Sequence, residues 1–270
     1  MSGTALCFTM DYPKFEVIGV TGLPEFKAGD NLGEEILKAL TRMNVPIENG
    51  DVLVVSQKVV SKVEGMTVDL TRVVPSQRAL EIAKACGKDP RFVELVLQES
   101  QSVEYVAPGH LIVTTKHGIT CANAGIDVSN VDGTQNTVLL LPKDPDLSAK
   151  KLKEYIKNKT GKNVAVIISD THGRTLREGQ INVAIGLSGL NPFRDYRGKA
   201  DMKGYVLRVK LIAVADEIAS AAELVIGQAT EKIPVALIKG LNVVEEGEYS
   251  AKTLNMPKER WFFKPQNKFN

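Results

Sequence analysis

The stretch 167–189, IISDTHGRTLREGQINVAIGLSG, decides how the rest of the chain is read. A short apolar run delivers Asp170 and Thr171 to its end, and a turn is expected to follow, gathering Arg174, Arg177, Glu178 and Gln180. In open sheets flanked by helices, ligands sit beyond the carboxyl ends of strands. Two oxygen donors at such an end, followed by two guanidiniums, suit a metal ion that holds a phosphate. The cation neutralises the phosphate oxygens and arginine grips them bidentately. A plainer reading stands beside this one: Asp after a strand often caps the next turn, and Arg/Glu clusters often solvate a surface.

Outward from this stretch, residues 15–21 alternate as a strand and lead to a loop marked by Gly22, Pro24 and Gly29. Asp30 or Asn31 caps a helix whose apolar face is Leu32, Ile36, Leu37, Leu40 and Met43. Residues 51–56, DVLVVS, form a short apolar strand running into Gln57, Lys58, Ser61 and Lys62. Ser76 opens a helix that Gly87 stops, and Asp89-Pro90 caps and starts the next, over 92–99. Short β segments fill 103–122 between Pro108-Gly109 and His117-Gly118, with another strand at 139–141.

A helix is expected over 148–160, closing at Gly161, and residues 143–147 form the one plausible internal boundary. Strands at 164–169, 183–188, 206–212 and 234–238 and a helix at 216–225 complete the chain. Helices and strands interleave without strict βαβ regularity, which favours an α+β fold over a doubly wound sheet. The expectation is one compact unit over 1–245, built of two subdomains, and a tail over 246–270. That tail carries Trp261, Phe262 and Phe263 among lysines and is expected to dock on its own domain or on a partner subunit; a lid is the alternative.

Bulk properties exclude several classes. A chain of 270 residues with 43% hydrophobic and 24% charged side chains buries a large core as a soluble globular protein. The net charge of +2 and 6% aromatic content give no support to nucleic-acid binding. Cys7, Cys86 and Cys121 are scattered, without a CxxC pair, so a disulfide framework or structural zinc site is not expected and a reducing cytoplasm is. His110, His117 and His172 show no metal-pair spacing. The first fifteen residues lack the basic and apolar regions of a secretory signal, and no window is apolar enough to span a membrane.

There is no GxxxxGK[ST], no GxGxxG after the early strands and no GxSxG elbow. If the protein handles phosphates, it does so by another architecture. A second oxygen-rich turn at 122–130, ANAGIDVSN, carries Asp127, Ser129 and Asn130 after a β segment; such turns also serve purely structural roles. Were Asp127 and Asp170 to meet in space, they could hold hard cations against a triphosphate. Lys58 and Lys62, just past a buried strand, could neutralise phosphate or simply line a solvated helix face. The loop Leu23, Pro24, Glu25 and Phe26 could expose amides to a ligand or be an ordinary turn. Gln228, past the helix at 216–225, could offer a carbonyl oxygen to a metal.

Taken together and in order, GLPEFKAGDNL, NGDVLVVSQKVVSKVEG, CANAGIDVSNV, the stretch around Asp170, DYRGKAD, VADEIASAAELVIGQ and IPVALIKGLN resemble the coenzyme F420 γ-glutamyl ligase family. The resemblance runs from about residue 17 to residue 243. It implies two entwined α+β parts, distinct from P-loop proteins, in an intertwined homodimer. It implies GTP-dependent addition of L-glutamate, γ-linked beyond the first, to the lactyl-phosphate arm of a deazaflavin coenzyme, with Mg²⁺ or Mn²⁺ at two sites and K⁺ as a further ion. No membrane or nucleic-acid partner is expected.

Carried over residue by residue, Asp127 and Asp170 would bind one divalent ion, and Thr171 and Gln228 a second. Leu23, Pro24, Glu25, Phe26, Gln57, Lys58, Lys62, Asn130, Ile226, Gly227, Gln228, Ala229, Thr230, Glu231, Lys232 and Ile233 would contact GTP. His172 and Gln228 depart from other side chains found in the family. Arg174 and Arg177 are our own addition, as grips on the acidic substrates. The alternatives are a γ-glutamyl ligase for another acidic small molecule and a non-catalytic GTP-binding protein.

Overall fold

The structure, a computed structural model, describes residues 12–128 and 136–263. Strand β1 (Glu16–Gly19) is followed by helix α1 (Leu32–Arg42), whose N-cap Asn31 accepts a hydrogen bond from the Glu34 amide at 3.1 Å. Strand β2 (Val52–Ser56) runs straight into helix α2 (Gln57–Val63). A second lobe is then inserted. It comprises β3 (Thr67–Asp69), α3 (Gln77–Cys86), α4 (Pro90–Gln98), β4 (Ser100–Ala107), β5 (His110–Thr115), β6 (Thr120–Ala122) and β7 (Thr137–Leu139). The chain returns through α5 (Pro145–Thr160) to the long hairpin β8 (Ala165–Arg174) and β9 (Arg177–Ser188). A projecting arm carries β10 (Arg194–Asp195) and β11 (Leu211–Ile212), and α6 (Val214–Ile226) and β12 (Val235–Lys239) follow.

The main sheet has the order β1-β12-β2-β8-β9, and only β2 and β8 within it are parallel. Their runs Val52 to Val55 and Ala165 to Ile168 are fully buried, as a strand covered on both faces requires. Leu53, Val55, Val166 and Ile168 face α1 and α5; Val52, Val54, Ala165 and Ile167 face α6. The second lobe has its own core, where Ile82, Val93, Val96, Leu111 and Val113 pack α3 and α4 against the β4-β5-β6 sheet. The fold is therefore a mixed α/β architecture of several sheets, in keeping with the α+β expectation.

Most expected elements and caps are found, and three are corrected. Residues 170–174 are not a turn after a strand: β8 continues through them, because β9 pairs with it as far as Arg174↔Arg177. Residues 143–147 are not a free polar connector: the chain crosses here from the inserted lobe back to the main sheet, but Pro145 already starts α5 and the Asp146 carboxylate accepts from the amides of Leu187 (2.9 Å) and Ala251 (3.0 Å). The strand expected over 206–212 shrinks to Leu211–Ile212, and the surrounding arm exposes Met202, Tyr205, Val206 and Val209. No described helix is long and apolar enough to cross a membrane.

The tail docks on its own chain. Ser250 Oγ donates to Asp146 at 2.6 Å, Ala251 is buried beside α6, and Lys258 reaches the second lobe, where it pairs with Glu104 and Ser102. Glu104 is 4% exposed. Burial alone would raise its carboxyl, but hydrogen bonds from Lys258, Ser102 and Thr114 outweigh it and hold the group below its usual range. The described tail thus ties both lobes together.

Two predictions follow from this packing. A Cβ at Gly186 would stand 2.3 Å from the Pro145 carbonyl carbon, so Gly186→Ala should push α5 off β9 and cost about 1–3 kcal/mol in denaturant unfolding. Because the Glu104 carboxyl is depressed in the folded state, its contribution is complete above about pH 4.5 and lost as pH falls through its lower folded value. Trp261, the single tryptophan, should then shift its emission to the red in acid, and Lys258→Met should produce that shift already at neutral pH. Emission unchanged in both would contradict the docking.

Candidate functional site

Topology gathers most of the quoted segments at one end of the main sheet. Strands β1 and β2 end there, β12 begins there, and β8 runs on past the last residue it pairs with β2. The Val20 amide donates to Val235 O at 2.8 Å and the Ser56 amide to Pro234 O at 2.9 Å, which places the loops at 21–26 and 227–234 beside the start of α2. Ser56 is the register partner of Ser169, so Gln57 and Asp170 both leave the same end of the one parallel pair. This is the end where ligands collect in sheets of this type.

Asp127 arrives from the second lobe. It forms an isolated bridge with Leu139, with two backbone hydrogen bonds of 2.9 Å, and Ile126 before it is anchored in the lobe's core. Asn123, Ala124 and Gly125 take positive φ in succession, at 54°, 56° and 69°. Those three left-handed residues turn the chain sharply after β6 and aim Asp127 back at the main sheet. At Gly125 a Cβ would lie 2.9 Å from the Leu141 side chain, so a glycine is required there on both counts.

The two carboxylates meet across the junction of the lobes. The Gln57 carboxamide donates to Asp127 and lies near enough to Asp170 to oppose slightly the rise of that carboxyl. Ser61 Oγ donates to Gln57 Oε1 at 3.0 Å, which turns the amide N–H bonds toward the acids; Gln57 and Ser61 are both essentially fully buried. Lys58 Nζ stands 3.4 Å from Asp127 Oδ1. Burial, and then the charge of Asp127, push the Asp170 carboxyl up to about 7. Burial likewise raises Asp127, against the opposing pull of Lys58 and Gln57. A half-buried carboxyl pair under this strain gains from a cation, which relieves both the repulsion and the desolvation. The donors fit a hard divalent ion that keeps part of its water shell. Among the described residues no group of three or more His, Cys, Asp or Glu converges.

Consecutive strand residues point to opposite faces, so Thr171 lies on the α6 side while Asp170 lies on the α1/α5 side. Thr171 Oγ1 is 3.1 Å from Gln228 Oε1, at the end of α6. The residues expected to bind ions therefore fall into two pairs, Asp127 with Asp170 and Thr171 with Gln228, on the two faces of β8.

Other residues are placed as follows. Lys62 lies one turn beyond Lys58 on α2, partly exposed. Leu23 packs against the core, Phe26 is 5% exposed within it, and Pro24 and Glu25 are exposed, so this loop offers backbone and Glu25 rather than the Phe26 ring. Ile226 is buried at the end of α6, and Gly227, Ala229, Thr230, Glu231, Lys232 and Ile233 form the loop before β12. Glu231 folds back onto that loop, accepting from the Ala229 amide at 2.8 Å. Asn130 lies outside the described residues.

Arg174 and Arg177 are not brought to the carboxylates. They pair at the hairpin tip, about 13 Å further along β8 at the usual rise per strand residue. Arg174 donates to the carbonyls of Glu178 and Gly179, the latter at 3.3 Å. Burial, reinforced by the Asp170 charge, pushes the Cys121 thiol up to about 12, which removes it as a nucleophile. Burial also lowers the His172 imidazole.

Sequence reasoning missed Ser61 and Asn182 as parts of this site. Ser61 was legible only as one of several polar residues after β2. Asn182 lay just before the strand expected over 183–188, between it and the expected turn, and nothing local set it apart.

The family model described as F420-0:Gamma-glutamyl ligase matches residues 21–240. The coenzyme F420:L-glutamate ligase of Methanocaldococcus jannaschii is 42% identical over 253 residues, covering 93% of this chain and 97% of that protein. The protein of the same description from Methanothermobacter thermautotrophicus is 45% identical over 224 residues, covering 83% and 88%. That from Archaeoglobus fulgidus is 46% identical over 234 residues, covering 87% and 91%. With that model matching residues 21–240 and these relatives 42–46% identical over most of their length, this chain belongs to the F420-0:gamma-glutamyl ligase family.

Proposed function

We propose that the protein is a ligase that joins L-glutamate to the lactyl-phosphate arm of coenzyme F420 at the expense of GTP, and extends it with γ-linked glutamates. Family membership supports the ligation. The observation that carries the phosphoryl-transfer chemistry is the meeting of Asp127 and Asp170 beside Lys58, at the end of the sheet reached by both proposed nucleotide loops.

A carboxylate is a poor electrophile and must be activated. An oxygen of the acceptor carboxylate attacks the γ-phosphorus of GTP, forming an O–P bond as the bond to the bridging oxygen breaks and GDP departs. The glutamate amine then attacks the carbonyl of the acyl phosphate. The C–N bond forms, the C–O bond to phosphate breaks with its electron pair, and the amine releases a proton. Catalysis of the first transfer is alignment and charge neutralisation.

Asp127 and Asp170 would hold one divalent ion, Thr171 and Gln228 a second, and these ions supply neutralisation of phosphate oxygens. Gln57 steadies Asp127 beside Asp170, and Lys58 and Lys62 face the phosphates. Residues 23–26 and 226–233 supply backbone contacts to the nucleotide, while Asn130 is assigned by likeness alone. Arg174 and Arg177, at the hairpin tip, would meet the acidic end of a long substrate. The apolar residues exposed on the arm around Met202 and Val209 support a homodimer in which a second copy covers them.

The direct test is mass spectrometry of the deazaflavin acceptor incubated with GTP, Mn²⁺ and labelled glutamate; the expected result is a labelled glutamyl adduct with GDP released. Asp127→Ala and Asp170→Ala should keep the fold, as judged by circular dichroism, and lose at least about 10²-fold in turnover, a few kcal/mol of transition-state stabilisation. Wild-type turnover in either variant rejects the assignment. Arg174→Ala should weaken binding of glutamate or of the acceptor, and unchanged affinity for both removes its role.

A further inference from the structure

Asn182 sits in β9 directly across from Thr171 and is 3% exposed. Its Oδ1 stands 3.0 Å from Thr171 Oγ1 and accepts from Gln228 Nε2 at 3.3 Å. The same Gln228 nitrogen donates to Glu223 Oε1 at 3.3 Å. Both acceptors hold the amide nitrogen on one side, so Gln228 Oε1 is turned to Thr171, 3.1 Å from the hydroxyl.

A proton count then becomes informative. Thr171 has one hydroxyl proton and two acceptor oxygens within reach. Whichever takes it, one close oxygen–oxygen contact is left with no hydrogen between the atoms. Given to Asn182, the proton leaves Thr171 and Gln228 presenting lone pairs to the same space, an arrangement that a cation relieves. The main-chain carbonyl of Asn182 accepts from Ser220 Oγ at 2.8 Å, which ties β9 to α6 without engaging the Asn182 side chain, and α6 leads directly to Gln228.

We infer that Asn182 is a positioning residue for the Thr171–Gln228 oxygen pair, its buried carboxamide taking the Thr171 proton and one Gln228 N–H so that both oxygens face an incoming divalent cation. The inference rests on the two-ion reading given above. Partners of this kind, one step removed from the ion, typically change metal affinity by about 10–100-fold when lost.

The test counts bound Mn²⁺ by electron paramagnetic resonance on the GTP-saturated protein, with the titration of GTP alone subtracted. Wild-type protein should take up two ions. Asn182→Ala should weaken one of them by about 10–100-fold and leave the other within about twofold. Asn182→Asp, which keeps the acceptor oxygen, should restore the weakened ion. Ser220→Ala, which cuts only the tie between β9 and α6, should leave both ions in place. Two ions of unchanged affinity in Asn182→Ala, or the loss of both together, would overturn the positioning role while leaving the two-ion reading intact. A single ion in the wild-type protein would overturn that reading as well.

Discussion

Two carboxylates that repel each other face one buried amide, and the rest of the site depends on that arrangement. Gln57 donates to Asp127 and lies beside Asp170, and Ser61 fixes the direction in which Gln57 donates. Left in water, the acids would separate; here, burial and mutual charge push Asp170 up to about 7. The fold therefore stores unfavourable electrostatics at one point and offsets it with packing elsewhere. Such perturbed groups cluster where chemistry is done.

The scaffold explains how the strain is sustained. Gln57 and Asp170 immediately follow Ser56 and Ser169, the last residues that β2 and β8 pair with each other, and the buried apolar runs of the two strands fix their register. Asp127 is carried by an inserted lobe with an independent core, and its approach is set by three left-handed residues. The tail adds a further constraint, through Asp146 on one lobe and Glu104 on the other. A change in the angle between the lobes would move Asp127 relative to Asp170, so the distant tail contacts bear on the spacing of the site.

Much of this was legible from residue type and spacing. Caps at Asn31, Ser76, Asp89 and Gly161 stand where side-chain chemistry puts them, since each satisfies local backbone groups without help from tertiary structure. The hairpin was misread at Asp170 because polar residues after an apolar run mimic a turn, and only the pairing with β9 shows that the strand continues. The meeting of Asp127 with Asp170 could be posed as a question, but 42 intervening positions and an inserted lobe put the answer beyond local pattern. Arg174 and Arg177 lay close to Asp170 in sequence and are distant from it along an extended strand, because each strand residue advances about 3.3 Å. Asn182 was invisible until its neighbour across the ladder was known.

The central claim is that these apposed acids clasp a cation beside a nucleotide's phosphates. Anomalous diffraction at the manganese edge, on crystals grown with GTP and Mn²⁺, tests it most directly. The account predicts a peak coordinated by both Asp127 and Asp170, with Lys58 turned from Asp127 toward phosphate. Manganese bound only elsewhere, with Asp127 still paired to Gln57 and Lys58 alone, would contradict it.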